Sequence, residues 1–227
     1  MADVNVWNQK NITYNSLLPH YPVTSFLRLI FTETKKYSDN IKKINSKSKV
    51  LDIGTYYLNN LLPFNDRKCK LYGTESTDDA VLLSKKLAKK FNLDCKVNKG
   101  VNRNINFKSN FFDFCLSIST LHYEESLDDI NSALKEMQRV LKPGGCLVVE
   151  TVAPGHYFKK MSKKIKKNIY VSKDKKDIRY GNKFFFFDNE KQIKKIFSKY
   201  FKKIEIAKIT EDYPNRKFCF FDIKCFK

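Results

Sequence analysis

The chain lacks several features that would narrow its class at once. Among its 227 residues it has only seven glycines and six prolines, and its six cysteines form no Cys-x-x-Cys pair. Cysteines scattered in this way argue against a zinc site or a disulfide framework, so we expect no metal and reduced core thiols. No apolar run approaches the roughly 20 residues that span a bilayer. Residues 1–7 show no basic stretch followed by an apolar one, so we expect a cytoplasmic location.

Acidic residues are also scarce: 24 Asp and Glu stand against 44 Lys and Arg, which gives a net charge of +20. This excess suggests an anionic partner, such as a nucleic acid, a membrane surface or a phosphate-bearing small molecule. The alternative is compositional, because the bias toward Lys, Asn, Ile, Phe and Tyr resembles that of an AT-rich genome, where lysine is the default surface residue. The composition still allows a hydrophobic core, because 42% hydrophobic and 14% aromatic residues argue against disorder. The length of the chain fits one domain.

The segment 49–55, Lys-Val-Leu-Asp-Ile-Gly-Thr, organises the rest of the chain. An apolar run leads into Asp52, and Gly54 and Thr55 follow. This pattern is typical of a buried parallel strand that ends in a tight turn. Ligands of open α/β sheets bind outside the carboxyl ends of the strands, and only glycine lacks the Cβ that keeps a ligand away from the backbone. Taken alone, however, such a segment is more often an ordinary strand-to-turn junction.

Three further landmarks follow in order. Residues 71–75 predict a second strand that ends in Glu75, at a distance from Asp52 that lets an acid reach a ribose hydroxyl. Residues 111–119 predict a third strand, with the motif Phe-Asp-x-x-x-Ser. The motif Leu-Lys-Pro-Gly-Gly at 141–145 predicts a helix end and a turn, and residues 146–151 predict the next strand. With these four landmarks, the region 47–151 resembles the class I S-adenosylmethionine (SAM)-dependent methyltransferases.

The resemblance implies an α/β, Rossmann-like fold with a seven-stranded, mostly parallel sheet, an antiparallel C-terminal strand and helices on both faces. It implies one domain over residues 1–227, with an N-terminal helical cap or lid (1–46), a cofactor-binding core (47–151), and a substrate-side insert with C-terminal strands (152–227). It also implies SAM as the cofactor and S-adenosylhomocysteine as its product. The implied cofactor contacts are Asp52, Gly54 and Thr55 in the first turn, Glu75 on the ribose, Asn102 near adenine and Ser117 near methionine.

The first turn departs from the family pattern. Family members usually have Asp-x-Gly-x-Gly-x-Gly, whereas Tyr56 and Leu58 stand where the later glycines would be. Either the loop is rebuilt and still admits SAM, or the pocket is impaired. Asn59, Asn60 and Pro63 predict that the helix after this turn is short or irregular.

Apolar spacing predicts four longer helices. They cover about residues 22–37, 78–90 and 127–141, and a fourth begins after Asp188, which we expect to be its N-cap. Ser126 to Asp129 is typical of a capping box, and Leu127 is expected on the apolar face of the third helix. Residues 95–97 predict a short strand, and residues 204–209 and 218–223 predict an antiparallel pair that closes the sheet.

Two histidines are candidates for a base that takes a proton from the acceptor as it attacks the methyl group. His122 lies in the segment that leaves the sheet beside the transferred methyl group in the related family, and His156 follows the strand 146–151. The alternative for His122 is packing or capping of the next helix. No nucleophilic Ser or Cys is expected, because SAM is already an activated donor. The candidate substrate contacts are Tyr21, Tyr123, Tyr157 and Arg179.

The C-terminal third carries the information about the acceptor. Six lysines between residues 159 and 167 are either a phosphate-binding lid or a solvated insert, and in a helix they would cover most of its surface. This insert and the following Phe-Phe-Asp-x-Glu motif resemble bacterial methyltransferases of sugar and surface-polysaccharide biosynthesis. We therefore predict O-methylation of a small anionic acceptor, such as a nucleotide-linked or phosphorylated sugar or a capsule precursor. An RNA methyltransferase and a non-catalytic partner subunit with a degenerate cofactor loop are the alternatives, and the oligomeric state stays open.

Overall fold

A computed structural model describes residues 22–31 and 44–227, which form two β-sheets and six α-helices. Tyr21, most of the predicted N-terminal cap and the end of the predicted first helix lie outside the described residues. The helices are α1 (Thr24–Phe31), α2 (Leu62–Asn65), α3 (Asp78–Lys90), α4 (Leu127–Val140), α5 (Tyr157–Lys160) and α6 (Glu190–Phe197). The strands are β1 (Lys49–Ile53), β2 (Lys70–Glu75), β3 (Cys95–Lys99), β4 (Phe112–Ile118), β5 (Leu141–Val152), β6 (Ser162–Lys166), β7 (Ile169–Ser172), β8 (Lys183–Phe185), β9 (Lys202–Tyr213) and β10 (Arg216–Phe226).

The larger sheet has seven strands in the order β3-β2-β1-β4-β5-β10-β9. Strands β1 to β5 pair in parallel, and β10 runs antiparallel to both β5 and β9. This arrangement confirms the predicted seven-stranded, mostly parallel sheet with an antiparallel C-terminal strand. The carboxyl ends of the parallel strands therefore meet at one edge, which is where open α/β sheets bind ligands.

Buried side chains cover both faces of this sheet. One face packs Leu51 and Leu147 against α4 and α6, and the other packs Val50 and Phe114 against α1, α2 and α3. The helices thus lie on both faces, as predicted. The apolar stripe of α4 is fully buried except at its first residue, because Leu127 is 44% exposed. The prediction for Leu127 was wrong, since it lies in the first turn, beyond the edge of the packed surface.

Two predicted helix ends need correction. The N-cap of α6 is Asn189, whose Oδ1 accepts the N–H of Gln192 at 2.9 Å, so Asp188 lies one position outside the cap. The segment 141–145 was predicted as a helix end and turn, but α4 ends at Val140 and strand β5 already begins at Leu141. The cap of α4 is confirmed, because Ser126 Oγ accepts the N–H of Asp129 at 3.0 Å.

The lysine-rich insert folds as an antiparallel sheet of three strands in the order β6-β7-β8. Four of its six lysines, Lys163, Lys164, Lys166 and Lys167, are exposed in or directly after the edge strand β6. Residues 162–166 therefore form a strand and not a helix. Charged side chains on an edge strand hinder pairing with another chain, which gives this pattern a structural reason independent of any ligand.

Candidate active site

Asp52 lies near the carboxyl end of β1 and is buried. Neither of its carboxylate oxygens has a hydrogen-bond partner among the described residues. Burial raises the pKa of Asp52 to about 8, while the nearby Thr55 hydroxyl lowers it in part and the charge of Glu75 adds to the rise. A buried carboxylate without a partner is costly in a folded protein, so its presence points to a cationic or hydrogen-bonding ligand at this position.

Glu75 at the end of β2 is tied to the first turn. Its Oε1 accepts the backbone N–H of Tyr56 at 2.6 Å. Burial raises the pKa of Glu75 to about 7, although hydrogen bonds from the N–H groups of Tyr56 and Ser76 hold it down. The first turn and the predicted ribose-binding acid thus form one unit.

The bulky residues of the first turn adopt the backbone conformation that glycine usually supplies. Tyr56 has φ +32° and Leu58 has φ +63°, both in the left-handed region. Such conformations cost a non-glycine residue of order 1–3 kcal/mol and persist where the surroundings fix them. Leu58 is fixed by complete burial, and the carbonyl of Tyr56 accepts the hydroxyl of Ser84 on α3 at 2.8 Å. The predicted short, irregular helix follows, as a 3-10 turn at Asn59–Leu61 and the four-residue α2.

Gly54 is required by a close approach that the sequence did not reveal. A Cβ at Gly54 would lie 2.5 Å from Cγ2 of Thr120, and φ of Gly54 is +72°. The N–H groups of Gly54 and Thr55 both donate to the carbonyl of Thr74, at 2.9 and 3.2 Å. The turn is therefore held from β2 on one side and covered by Thr120 on the other.

Thr120 joins two residues that were predicted to contact different ends of the cofactor. Its hydroxyl lies 2.7 Å from Ser117 Oγ, and its carbonyl accepts the side-chain N–H of Asn102 at 3.2 Å. Asn102 also donates to Glu124 Oε1 at 3.1 Å. The Glu124 carboxylate is paired with Arg103 at 2.8 Å, and burial raises its pKa to about 7. Sequence reasoning missed Thr120 and Glu124, because neither belongs to a motif and both act through long-range contacts.

A second cluster brings together the candidate catalytic and substrate residues. Arg179 Nη2 donates to the Tyr157 hydroxyl at 3.0 Å, and its guanidinium lies 4.0 Å from the ring centre of Phe158. Arg179 also pairs with Asp177. Although burial lowers the pKa of Arg179, its hydrogen bonds to Asp177 and Tyr157 raise it overall, so the guanidinium stays charged. Burial raises the pKa of Tyr123 to about 12, while the nearby Arg179 lowers it in part.

The two histidines differ in the atom that is free to take a proton. His156 Nδ1 accepts the N–H of Phe158 at 3.1 Å, which assigns the proton of the neutral imidazole to Nε2. His122 Nδ1 has no hydrogen-bond partner among the described residues. Burial lowers the pKa of His122 to about 3 and that of His156 to about 4, and the charge of Arg179 adds to both shifts. Both rings are therefore neutral near pH 7, and Nδ1 is bonded in His156 but not in His122.

An open hollow of about 420 Å³ adjoins this cluster at the tip of the β9–β10 hairpin. It is lined by Glu211, Tyr213, Pro214, Asn215, Arg216 and Phe218. The Phe218 ring lies 5.1 Å from that of Tyr157, and the Arg216 guanidinium lies 5.4 Å from the same ring. Two guanidinium groups, those of Arg179 and Arg216, therefore lie close to the Tyr157 ring.

Two other classes of site are not found in the part of the chain that the structure covers. No group of three or more His, Cys, Asp or Glu side chains there is arranged to hold a metal ion. No helix within residues 22–31 and 44–227 is long and apolar enough to cross a membrane.

Comparisons with known proteins show what this chain is similar to in sequence and in fold. Residues 51–149 match the sequence model of a family described as "Methyltransferase domain". A protein of Escherichia coli, the uncharacterised YafE, is 37% identical over 59 residues, which is 26% of this chain and 27% of that protein. The chain thus matches only about a quarter of the length of this curated relative.

Solved structures extend the likeness to most of the fold. A SAM-dependent methyltransferase from Methanosarcina mazei superposes with a TM-score of 0.68 at 16% identity, covering 86% of this chain and 97% of that one. The 1,6-didemethyltoxoflavin-N1-methyltransferase of Burkholderia thailandensis, solved with S-adenosylhomocysteine, has a TM-score of 0.60 at 13% identity and covers 79% and 71%. At these identities the likeness shows the fold.

The residues present fit the cofactor of that fold. SAM carries a sulfonium and an ammonium group, and it supplies an activated methyl group when bound. Asp52 and Glu75 offer two buried carboxylates at the carboxyl ends of adjacent strands, and no Lys or Arg among the described residues pairs with either. Residues 51–149 therefore match a methyltransferase domain in sequence, and the seven-stranded sheet has the fold of SAM-dependent methyltransferases.

Proposed function

We propose that this domain transfers the methyl group of SAM to an oxygen of a small anionic acceptor. The acceptor class that we favour is a nucleotide-linked or phosphorylated sugar, or a related precursor of a capsule polysaccharide. The observation that carries this proposal is that the guanidinium groups of Arg179 and Arg216 lie 5.9 and 5.4 Å from the Tyr157 ring centre, and that the ring of His156 stacks on Tyr157. Cations at the rim recognise a phosphate or carboxylate, while the aromatic rings offer a sugar its apolar face.

On the cofactor side, each residue has a role that follows from its position. The Asp52 carboxylate balances the ammonium group, and Glu75 accepts hydrogen bonds from the ribose hydroxyls. Asn102 would contact the adenine and Ser117 the methionine, and the turn at Gly54 and Thr55 would let the cofactor approach the backbone. Thr120, which bonds to Asn102 and Ser117, fixes the distance between the two ends of the site.

On the acceptor side, the protein aligns the hydroxyl with the methyl group and removes one proton. We assign proton removal to Nδ1 of His122, which is buried and has no hydrogen-bond partner in the described structure. Its ring packs against Tyr123 and Phe184, with ring centres at 4.6 and 6.0 Å, so water is excluded from this side. His156 keeps Phe158 in place through its Nδ1 and presents Nε2–H as a donor to the acceptor.

An RNA acceptor is the second candidate, and one observation favours it. Lys163, Lys164, Lys166 and Lys167 are exposed and form no ion pair with any described residue. Such a strip of lysines attracts a phosphate backbone in a strongly salt-dependent way. A filter-binding titration with RNA at two salt concentrations tests this candidate, and no binding at physiological salt would remove it.

A non-catalytic partner subunit is the third candidate, and it is motivated by Tyr56 and Leu58 in the first turn. Calorimetric titration with S-adenosylhomocysteine separates it from the enzyme candidates. Micromolar binding supports a working cofactor site, whereas no heat and no thermal shift at millimolar ligand would favour the partner role. With binding established, transfer of radiolabelled methyl from SAM to phosphorylated and nucleotide-linked sugars tests the acceptor class. Labelling of neutral or cationic acceptors alone would overturn the anionic assignment.

A further inference from the structure

Ser119 follows β4 in a backbone conformation that serine rarely adopts. Its φ is +56°, in the left-handed region that disfavours residues with a Cβ. Ser119 is not glycine, so something in the structure must compensate this strain. Both polar groups of Ser119 bond to one residue of the neighbouring strand β5. Its N–H donates to the Glu150 carbonyl at 3.0 Å, and its hydroxyl donates to Glu150 Oε1 at 2.6 Å.

The position of Thr120 depends on this turn, because it is the next residue. Its methyl group covers Gly54, its hydroxyl meets Ser117, and its carbonyl meets Asn102. Three of the residues assigned to the cofactor thus contact Thr120. A different conformation at Ser119 would move Thr120 away from all three.

Glu150 itself is an unusual residue for its place in the sheet. It is 2% exposed, it lies opposite Asp222 in the β5–β10 register, and it has no cationic partner among the described residues. Its second oxygen, Oε2, accepts the hydroxyl of Ser25 on α1 at 3.3 Å. An apolar residue would be less costly in this position than an unpaired acid. The contacts that the carboxylate does make lead to Ser119 and Ser25, so they indicate why an acid is present.

We propose that Glu150 is a positioning residue of the cofactor site, whose carboxylate holds Ser119 in the left-handed conformation from which Thr120 reaches Gly54, Ser117 and Asn102. The inference rests on the proposed function, because it assumes that these residues bind SAM. Glu150 itself is not expected to touch the cofactor. Its effect is transmitted through one turn of backbone.

The test measures the affinity of S-adenosylhomocysteine by calorimetry for the full chain and its variants. Glu150→Leu removes the acceptor of the Ser119 hydroxyl, and Ser119→Ala removes the donor. Each is expected to weaken binding about tenfold, the scale of one hydrogen bond to a charged group. Glu150→Gln keeps an acceptor oxygen and is expected to stay within about twofold of the wild type. The matched control is Thr151→Val, which removes an unpartnered hydroxyl from the next residue of β5 and should leave the affinity unchanged.

A double-mutant cycle separates positioning from general stability. In Ser119→Gly the left-handed conformation is free of strain and no hydroxyl needs an acceptor, so adding Glu150→Leu should weaken binding no further. A full additional tenfold loss in the double variant would overturn the inference, as would wild-type affinity in both Glu150→Leu and Ser119→Ala. If Glu150→Leu does not fold, Ser119→Ala alone decides the question. Absence of binding by the wild type would overturn the proposed function and this inference together, whereas wild-type binding with unaffected variants would overturn this inference only.

Discussion

The backbone N–H of Tyr56 donates to the Glu75 carboxylate at 2.6 Å. Tyr56 stands where a glycine is usual in the family, yet its left-handed backbone presents the N–H group to the acid at the end of the next strand. The loop is therefore rebuilt around a bulky residue, and the carboxylate predicted to bind ribose also fixes the turn.

Glu75 variants should separate these two roles. Glu75→Gln keeps an acceptor for Tyr56, so we expect the thermal midpoint to change little while the affinity for S-adenosylhomocysteine falls. Glu75→Ala loses both functions, and we expect a loss of more than about tenfold in affinity with a lower midpoint. Calorimetry and thermal unfolding on the same samples measure the two effects. Equal affinities of Glu75→Ala and the wild type would contradict a ribose role.

The buried acids predict how stability depends on pH. Their pKa values are raised in the folded protein, so the folded state holds protons that the unfolded state has lost, and stability falls as pH rises toward those values. The lowered pKa values of His122 and His156 act in the opposite direction, but their contribution is complete above about pH 6.5. We therefore expect the free energy of unfolding to decrease between about pH 6.5 and pH 8, by about 2 kcal/mol or more. The acids concerned are Asp52 at about 8, and Glu75, Glu124 and Glu150 at about 7.

Urea unfolding of the ligand-free protein across this range measures the effect. Asp52→Asn is the control variant, because it removes the acid with the highest of these pKa values and should flatten the upper part of the curve. A wild-type curve that rises from pH 6.5 to pH 8 would contradict the assignment of these buried carboxyls.

Arg179 should matter for the acceptor and not for the cofactor. Arg179→Lys keeps the charge but loses the planar fork that bonds to Asp177 and Tyr157. We expect kcat/KM for the acceptor to fall at least about tenfold, with the affinity for S-adenosylhomocysteine unchanged. Lys164→Arg, in the exposed edge strand β6, is the matched control that also keeps the charge, and it should leave kcat/KM unchanged. An unchanged kcat/KM in Arg179→Lys would contradict a specific contact between this guanidinium and the acceptor.

The pH profile of kcat/KM should not show the titration that is usual for a histidine base, although we assign proton removal to His122. With its pKa lowered to about 3, the ring stays unprotonated across the working range, so kcat/KM should show no inflection near pH 6.5 that depends on this residue. Because an imidazole with a pKa of about 3 is a weak base, His122→Asn is expected to lower kcat by only about tenfold, with little change in cofactor affinity. A His122→Asn variant with full kcat would remove this residue from the proton transfer and leave packing as its role.

Much of the fold was predictable because it depends on local signals. The apolar runs that end in Asp52 and Glu75 are strands of the sheet, and the Ser126 cap was visible in four consecutive residues. The error at the start of α6 has the same origin, since Asp188 and Asn189 are both good caps and only the backbone selects one. The alternation of apolar and polar residues could not identify the strands of the lysine-rich insert. Strand β6 is exposed on both sides, so its apolar residues do not recur at every second position.

The site was predictable only in part, since its remaining members meet through the tertiary structure. The sequence supplied His122, Tyr157 and Arg179 as separate candidates, and the structure places them around one aromatic cluster. Thr120 and Glu150 carried no sequence signal. Their roles depend on the left-handed backbone conformation of Ser119, and a Ser-Thr dipeptide does not predict that conformation.

The placement of β10 between β5 and β9 has a consequence for synthesis of the chain on the ribosome. Strand β5 ends at Val152, but its partner begins only at Arg216, so one edge of β5 stays unpaired for several seconds while the intervening residues are made. That edge is the apolar run Cys-Leu-Val-Val-Glu-Thr-Val, a segment able to pair with other nascent chains. Glu150 is its single charge, and a charge inside such a segment disfavours aggregation until β10 arrives.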